Sequence, residues 1–331
     1  MKHVLRGFLQ QQDSSMWRKN VNRSSSPVVP VVCLILAMII WASSFIALKV
    51  AFQTYDSMVV IFGRMFIASI CFMFFLPNFR KTYFQWKDLK YILLMAFFEP
   101  CLYFIFEAKA LENTTASQAG MITAMLPLMV AVGASIILKE RVSVKTIIGL
   151  MLAIAGACLL SLFASPSAYA PNPSLGNFLE FLAMACAAGY TITLKQLTAR
   201  YHPFFLAAMQ AFVGSLFYFP FLFFVSTPMP AHFEPVGTIS IIYLGVVVTL
   251  GAYGCYNYGV SRIPASQASA YINMIPVFTI ILARIILGEK FTPGQYLASV
   301  LVFIGIFVSH ERRPQKIEYI SQENVKSGTR T

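Results

Sequence analysis

The sequence predicts an all-α membrane protein of ten transmembrane helices, built as two inverted five-helix repeats around a central cavity. Three observations predict it: apolar runs of spanning length, a unit that recurs at a fixed offset, and basic residues collected on one side of the expected membrane.

Of 331 residues, 58% are hydrophobic and 11% charged, whereas soluble domains carry about 25% charged residues. Thirty Phe stand against thirteen acidic residues, a composition suited to lipid. The apolar residues fall in runs such as AFFEPCLYFIF, IIYLGVVVTLG and YLASVLVFIGIFVS. Crossing a hydrocarbon core of about 30 Å takes roughly 20 such residues. Ten segments qualify, at 29–50, 57–77, 89–109, 115–138, 143–163, 175–197, 203–226, 236–259, 265–287 and 293–309. Helices are expected because lipid offers open backbone groups no partner, and the runs lack the polar/apolar alternation of barrel strands.

The net charge of +12 is distributed unevenly. Assigning the segment ends alternately puts twenty basic residues on one side: five in 1–28, four in 78–90, three in 139–145, then Lys195, Arg200 and Arg262, and five in 310–331. The other side holds Lys49, Lys109 and Lys290, while Arg64 and Arg284 lie within spans. This asymmetry places both termini in the cytoplasm, with the basic tails facing anionic lipid rather than nucleic acid. Cys33, Cys71, Cys101, Cys158, Cys186 and Cys255 all sit within spans without metal or disulfide spacing and read as small apolar fillers. No metal site or cofactor is expected. The first span follows 28 polar and basic residues and reads as a helix, not a cleaved signal peptide.

The stretch ASQAGMITAMLPLM at 116–129 returns as ASQASAYINMIPVF at 265–278. Laying 116–143 on 265–292 gives eleven identities without a gap, among them Pro127 with Pro276 and Glu140 with Glu289. The first halves align at an offset of 146, where Leu48-Lys49 meets Leu194-Lys195. Five spans per copy is odd, so the second copy enters the membrane from the opposite face. The turns agree, KERVSVK carrying three bases on the cytoplasmic side and GEKFTPG one outside. The expected layout is a cytoplasmic tail at 1–28, a first repeat at 29–163, an external linker at 164–174, a second repeat at 175–309 and a cytoplasmic tail at 310–331. Inverted repeats mark secondary transporters that bind substrate near the bilayer midplane.

These motifs carry a resemblance. ASQAGMITAMLPLMVAVGASIILKE with IIGLMLAIAG, and ASQASAYINMIPVFTIILARIILGE with LVFIGIF, show an Ala-rich helix start, a mid-helix Pro, a Leu-x-Glu turn and a Gly-containing helix. WASSF and GRMFIAS in the first two spans fit as well. Over about residues 30–309 the chain resembles the drug/metabolite transporter superfamily of EamA type. That resemblance implies ten helices around a cavity and transport by alternating access, without naming a substrate. The expected activity is secondary export of a small metabolite, amino acid or drug-like compound across the cytoplasmic membrane. An intramembrane lipid-modifying enzyme or a channel are the alternatives. No phosphate-binding glycine loop, HExxH or nucleophile motif occurs, so existing gradients must drive transport, with protons a candidate coupling ion. The expected partners are therefore a small-molecule substrate and membrane lipid, and the chain is compatible with a monomer.

Within the spans, a charged side chain is a functional candidate by default. Glu99, ten residues into the third span and followed by Pro100, is a candidate proton carrier or partner for a substrate amine, or one half of a structural ion pair. Arg64, seven residues into the second, stands within side-chain reach of Glu99 or of a substrate carboxylate, or snorkels. The repeat puts Gln210 opposite it. Arg284, Glu107 and Glu180 lie close enough to the outer surface to snorkel, and Glu140 and Glu289 are expected to tie helix ends together. Pro127 and Pro276 are paired helix breaks. Trp41, Ser43, Ser44, Tyr103, Tyr190, Tyr271 and Asn273 are polar or aromatic cavity candidates at mid-depth. GVVVTLGAYG supplies small residues for close helix contact.

Overall fold

A computed structural model of the chain describes residues 28–75, 77, 84–138, 144–224 and 234–309, which are almost wholly helical. The two tails, residues 78–83 and the 139–143 turn with Glu140 lie outside the described residues. In chain order the helices are α1 (Val28–Phe52), α2 (Ser57–Met73), α3 (Trp86–Asn113), α4 (from Ala116, ending at Leu138), α5 (Val144–Leu162), α6 (Pro173–Leu197), α7 (Pro203–Phe224), α8 (Pro235–Arg262), α9 (Ala265–Leu287) and α10 (Pro293–Ser309). Seven stretches, in α1, α3, α4 and α6 to α9, are long and apolar enough to cross a membrane; Ser57–Met73, Ile147–Leu162 and Pro293–Gly305 are shorter apolar helices.

Local chemistry sets the helix starts. Asp56 accepts from the Met58 N–H at 2.8 Å ahead of α2, Thr115 accepts from the Gln118 N–H ahead of α4, and Asn172 accepts from the Leu175 N–H ahead of α6. Each satisfies a donor that the first helical turn leaves unpaired. Proline opens α6, α7 and α8, at a position where its missing N–H costs nothing. α9 ends at Gly288, whose φ of +69° gives the left-handed cap that glycine adopts freely. The next residue, Glu289, accepts from the backbone N–H groups of Ala116 and Ser117, both at 2.9 Å. It therefore ties the end of α9 to the start of α4. At another helix end, Lys195 donates to the carbonyls of Val260 and Ile263, both at 2.7 Å, a cation on the last carbonyls of α8. Asp88 ties the start of α3 to the α6–α7 connection through Arg200 at 3.0 Å.

Partners exchange between the two halves of the chain. α1 packs on α8 and α9, whereas α6 packs on α3 and α4; α2 meets α7, α4 meets α9 and α5 meets α10. Polarity runs opposite to that of a soluble protein. Leu216, Phe223, Ile285 and Phe307 are exposed on the outside, while Arg64, Glu99, Glu107, Glu180, Gln210 and Asn257 are buried. The burial of Glu107 and Glu180 differs from the snorkelling expected of them: Glu107 turns inward to Arg64 of α2, and Glu180 is fully buried on α6. Arg284 is exposed.

α5 and α10 approach to backbone contact. A Cβ on Gly156 would come within 2.6 Å of Val302 and 2.8 Å of its backbone nitrogen, and one on Gly305 within 2.6 Å of the Gly149 carbonyl. Such small-residue seams let helices pair where no hydrophobic force separates lipid from protein. Gly156→Leu or Gly305→Leu should therefore force the pair apart, at a cost of about 1–3 kcal/mol. The expected reading is a lower thermal midpoint of the detergent-purified protein; an unchanged midpoint in both variants would refute this contact.

Candidate functional site

The site is organised by a break in α3. Leu89–Ala96 and Tyr103–Asn113 are regular helix, but Phe97–Leu102 between them is wound wide, and Glu99 is extended within it at φ −149° and ψ 116°. Pro100 cannot donate a helical hydrogen bond, so the chain opens where Glu99 stands. The carbonyls released are claimed by α7: the Gln210 amide donates to the Glu99 carbonyl at 3.1 Å, and the Tyr218 hydroxyl to those of Pro100 and Cys101 at 3.0 and 2.6 Å. The break turns the Glu99 side chain inward, where Tyr253 of α8 donates its hydroxyl to the carboxylate.

Beside Glu99 lies a cavity lined by residues of both halves. One wall is aromatic: Trp41, Tyr190, Tyr253 and Tyr256, with Trp41 against Tyr253 and Tyr256 at centroid distances of 5.1 and 4.8 Å. Another wall comes from Thr123, Leu126, Ile272 and Ile275. These residues belong to or directly follow two touching 3-10 turns, Thr123–Met125 and Tyr271–Met274, each with a proline two residues beyond its end, Pro127 or Pro276. Three charged side chains line the space: Glu99, Glu107 and Arg64. Arg64 is 1% exposed, with its guanidinium 4.1 Å from the centre of the Phe104 ring and its Nε donating to the Thr249 hydroxyl at 3.3 Å. The indole N–H of Trp41 is buried and has no hydrogen-bond partner among the described residues.

Of the residues singled out from sequence, Trp41, Ser44, Arg64, Glu99, Tyr103 and Tyr190 are brought together on this cavity. Gln210 sits just behind it, accepting from Tyr190 and Asn257 at 3.3 Å. Ser43, Tyr271 and Asn273 do not line it: Ser43 bonds the Ile40 carbonyl and the Tyr243 hydroxyl, and Asn273 keeps a buried carbonyl oxygen without a partner among the described residues. The Arg64–Glu99 pair also reads differently. Arg64 pairs with Glu107 at 3.8 Å, and Tyr103, one turn before Glu107 on α3, donates to that carboxylate at 2.9 Å. The Glu99 carboxylate is thus held by a phenol instead of a guanidinium. The sequence reading missed Tyr253, Tyr256, Thr123, Thr191 and Glu107 as cavity residues. GVVVTLGAYG was read as small packing residues, yet the tyrosine in it reaches Glu99. The visible signal was the density of polar aromatics in GAYGCYNYG. Among the described residues no grouping of His, Cys, Asp and Glu could hold a metal ion.

The EamA-like transporter family matches the sequence twice, at residues 29–162 and 174–310. The chain belongs to the EamA-like transporter family. Its relatives are similarly matched over most of their length. The uncharacterized transporter YetK of Bacillus subtilis is 26% identical over 88% of this chain and 90% of its own. An uncharacterized transporter of Archaeoglobus fulgidus is 25% identical, covering 85% and 99%. A probable terminal-alkyne amino-acid exporter of Streptantibioticus cattleyicolor is 24% identical, covering 85% and 93%. A protein crystal structure of the same fold superposes with a TM-score of 0.59 at 14% identity, over 85% of this chain and 96% of that one. This EamA-like chain is therefore a multi-pass membrane transporter and not an enzyme.

The break in α3 depends on donors from α7. Tyr218→Phe would leave the Pro100 and Cys101 carbonyls unpaired, and Gln210→Leu the Glu99 carbonyl. A buried orphan costs about 1–3 kcal/mol. Both variants should melt earlier than wild type in detergent; a Tyr218→Phe protein as stable as wild type would show that the carbonyls find other partners.

Proposed function

We propose that this EamA-like transporter exports a small zwitterionic metabolite of the amino-acid class by alternating access, driven by an ion gradient. The observation that carries the reading is that one cavity is lined by charges of both signs: Glu99 at the broken helix, free of any guanidinium within salt-bridge distance among the described residues, and Arg64, which Glu107 holds only loosely. The cavity's lining, mostly apolar and aromatic with a few charged groups, suits a small ligand with a charged head. The ammonium of such a substrate would sit at Glu99. Its carboxylate would take hydrogen bonds from Arg64, which Glu107 holds only at 3.8 Å, and from the unpartnered indole N–H of Trp41. Its side chain would lie among Tyr190, Tyr256, Met184 and Ile272. The Streptantibioticus relative named as a probable amino-acid exporter supports the substrate class and the direction.

The reading includes ten spans in two inverted halves, with both termini cytoplasmic. The exchange of partners between halves supports it, as does the one-sided distribution of basic residues. The paired 3-10 turns before Pro127 and Pro276 would then be hinges of the two halves, since each interrupts its helix beside the cavity.

Transport is tested in proteoliposomes by counterflow of radiolabelled L-leucine. Saturable counterflow is expected that a carboxylate-free amine of similar size does not elicit. Arg64→Gln should raise the half-saturating concentration at least about tenfold, the worth of one hydrogen bond to a charged group. Counterflow of the amine alone, or an unsaturable flux, would overturn the reading. Topology is tested separately: a reporter fused after Thr331 or within 78–90 should read cytoplasmic, and one within 166–173 external. The same side for Thr331 and 166–173 would rule out the ten-span inverted arrangement.

A further inference from the structure

Glu180 of α6 is fully buried. Neither of its carboxylate oxygens has a hydrogen-bond partner among the described residues. A carboxylate is an acceptor only, and an ionised one in this position would be a buried charge without counter-ion or donor, which a low-dielectric interior strongly disfavours. The surroundings are well defined because α6 runs antiparallel to α3. A Cβ on Gly176 would touch Thr114 at 2.6 Å and one on Gly189 the Phe98 ring at 3.0 Å, so Glu180 falls level with Glu107. Glu107 and Tyr103 of α3 are the titratable groups that act on it, and Arg64, the guanidinium of this region, is engaged by Glu107. The parts of α4 packed on α6 carry no titratable side chain. α5 meets this end of α6 through Ser161, about 24 Å along the helix from its Lys145, and α8 meets the other end through Tyr256. The neutral donor one turn away cannot help: both N–H groups of the Asn177 amide are committed, to Gln118 and Ser161, each at 2.9 Å.

We infer that Glu180 is a proton-binding site, occupied in this conformation, and that it carries the coupling ion while Glu99 is left to the substrate. The inference rests on the transport reading for its role, although not for the proton itself. A proton taken from water on the outer side neutralises Glu180; its release to cytoplasmic water leaves a second negative charge beside Glu107. That charge adds to the pull of Glu99 on a substrate ammonium arriving from the cytoplasm, and its neutralisation by a proton from the outer side removes that pull, so substrate is let go outside. Proton occupancy and substrate retention are thereby linked through the charge of one acidic cluster.

The site is tested without substrate by infrared spectroscopy of the purified full-length protein at neutral pH in potassium buffer. The C=O stretch of a carboxylic acid in apolar surroundings should be present in wild type and in Glu99→Gln, lost in Glu180→Gln and present again in Glu180→Asp. A band that survives in Glu180→Gln would overturn the proposal. So would a wild-type band abolished by replacing potassium with sodium at constant pH, because the site would then hold a metal cation. In proteoliposomes, Glu180→Gln should keep L-leucine counterflow and lose accumulation driven by a pH gradient. Accumulation retained in that variant would refute coupling at Glu180, while absence of counterflow in wild type would refute the substrate reading and leave the infrared result standing.

Discussion

A backbone in lipid must find every hydrogen bond inside the protein, and that constraint explains why the break in α3 lies where it does. Opening a helix at Glu99–Pro100 exposes carbonyls that no water reaches. Gln210 and Tyr218, two turns apart on α7, meet them. With those donors in place the helix can open and turn Glu99 inward to Tyr253. The opening thereby brings Glu99 to the same cavity as the aromatic wall and Arg64. The wide stretch Leu244–Ala252 in α8 is handled in the same way, its Leu244 carbonyl accepting from Thr249 at 2.9 Å, the residue that also receives Arg64 Nε.

Charge is the second organising term. Three carboxylates, Glu99, Glu107 and Glu180, are buried in this region with one guanidinium. The structure sorts them by partner: a phenol for Glu99, a phenol and a distant guanidinium for Glu107, and, among the described residues, no hydrogen-bond partner for Glu180. That inequality gives chemically similar side chains different tasks in the proposed cycle. The one that meets the cavity beside aromatic rings suits an ammonium, and the one sealed between two helices suits a particle no larger than a proton.

The helices were legible because spanning runs are long and because Pro127, Pro276 and the Ala-Ser-Gln-Ala starts repeat at one offset. Glu99 and Arg64 were legible because charges inside apolar runs are conspicuous. Their partners were not. Depth along a helix gives distance from the surface but not azimuth, so Arg64 was matched to Glu99 by depth, whereas the rotation of α3 presents Glu107 to it. The same loss of azimuth made Glu107 and Glu180 look like snorkelling groups near a surface, when both are turned into the protein interior. Tyr253 was hidden because a tyrosine among glycines and small residues reads as packing until the facing helix is known.

Glu289 carries a consequence for how this end of the molecule opens. Its carboxylate closes the first turn of α4 by accepting from Ala116 and Ser117, and it stands beside the exposed Lys290. Separating α9 from α4 here would bare two N–H groups and one carboxylate, all of them groups that water solvates well. Because exchanging a protein hydrogen bond for one to water changes the free energy by only about 1 kcal/mol, this latch is weak against hydration and strong against lipid. Water wetting this seam would loosen it, so the seam opens to an aqueous phase far more readily than to the bilayer.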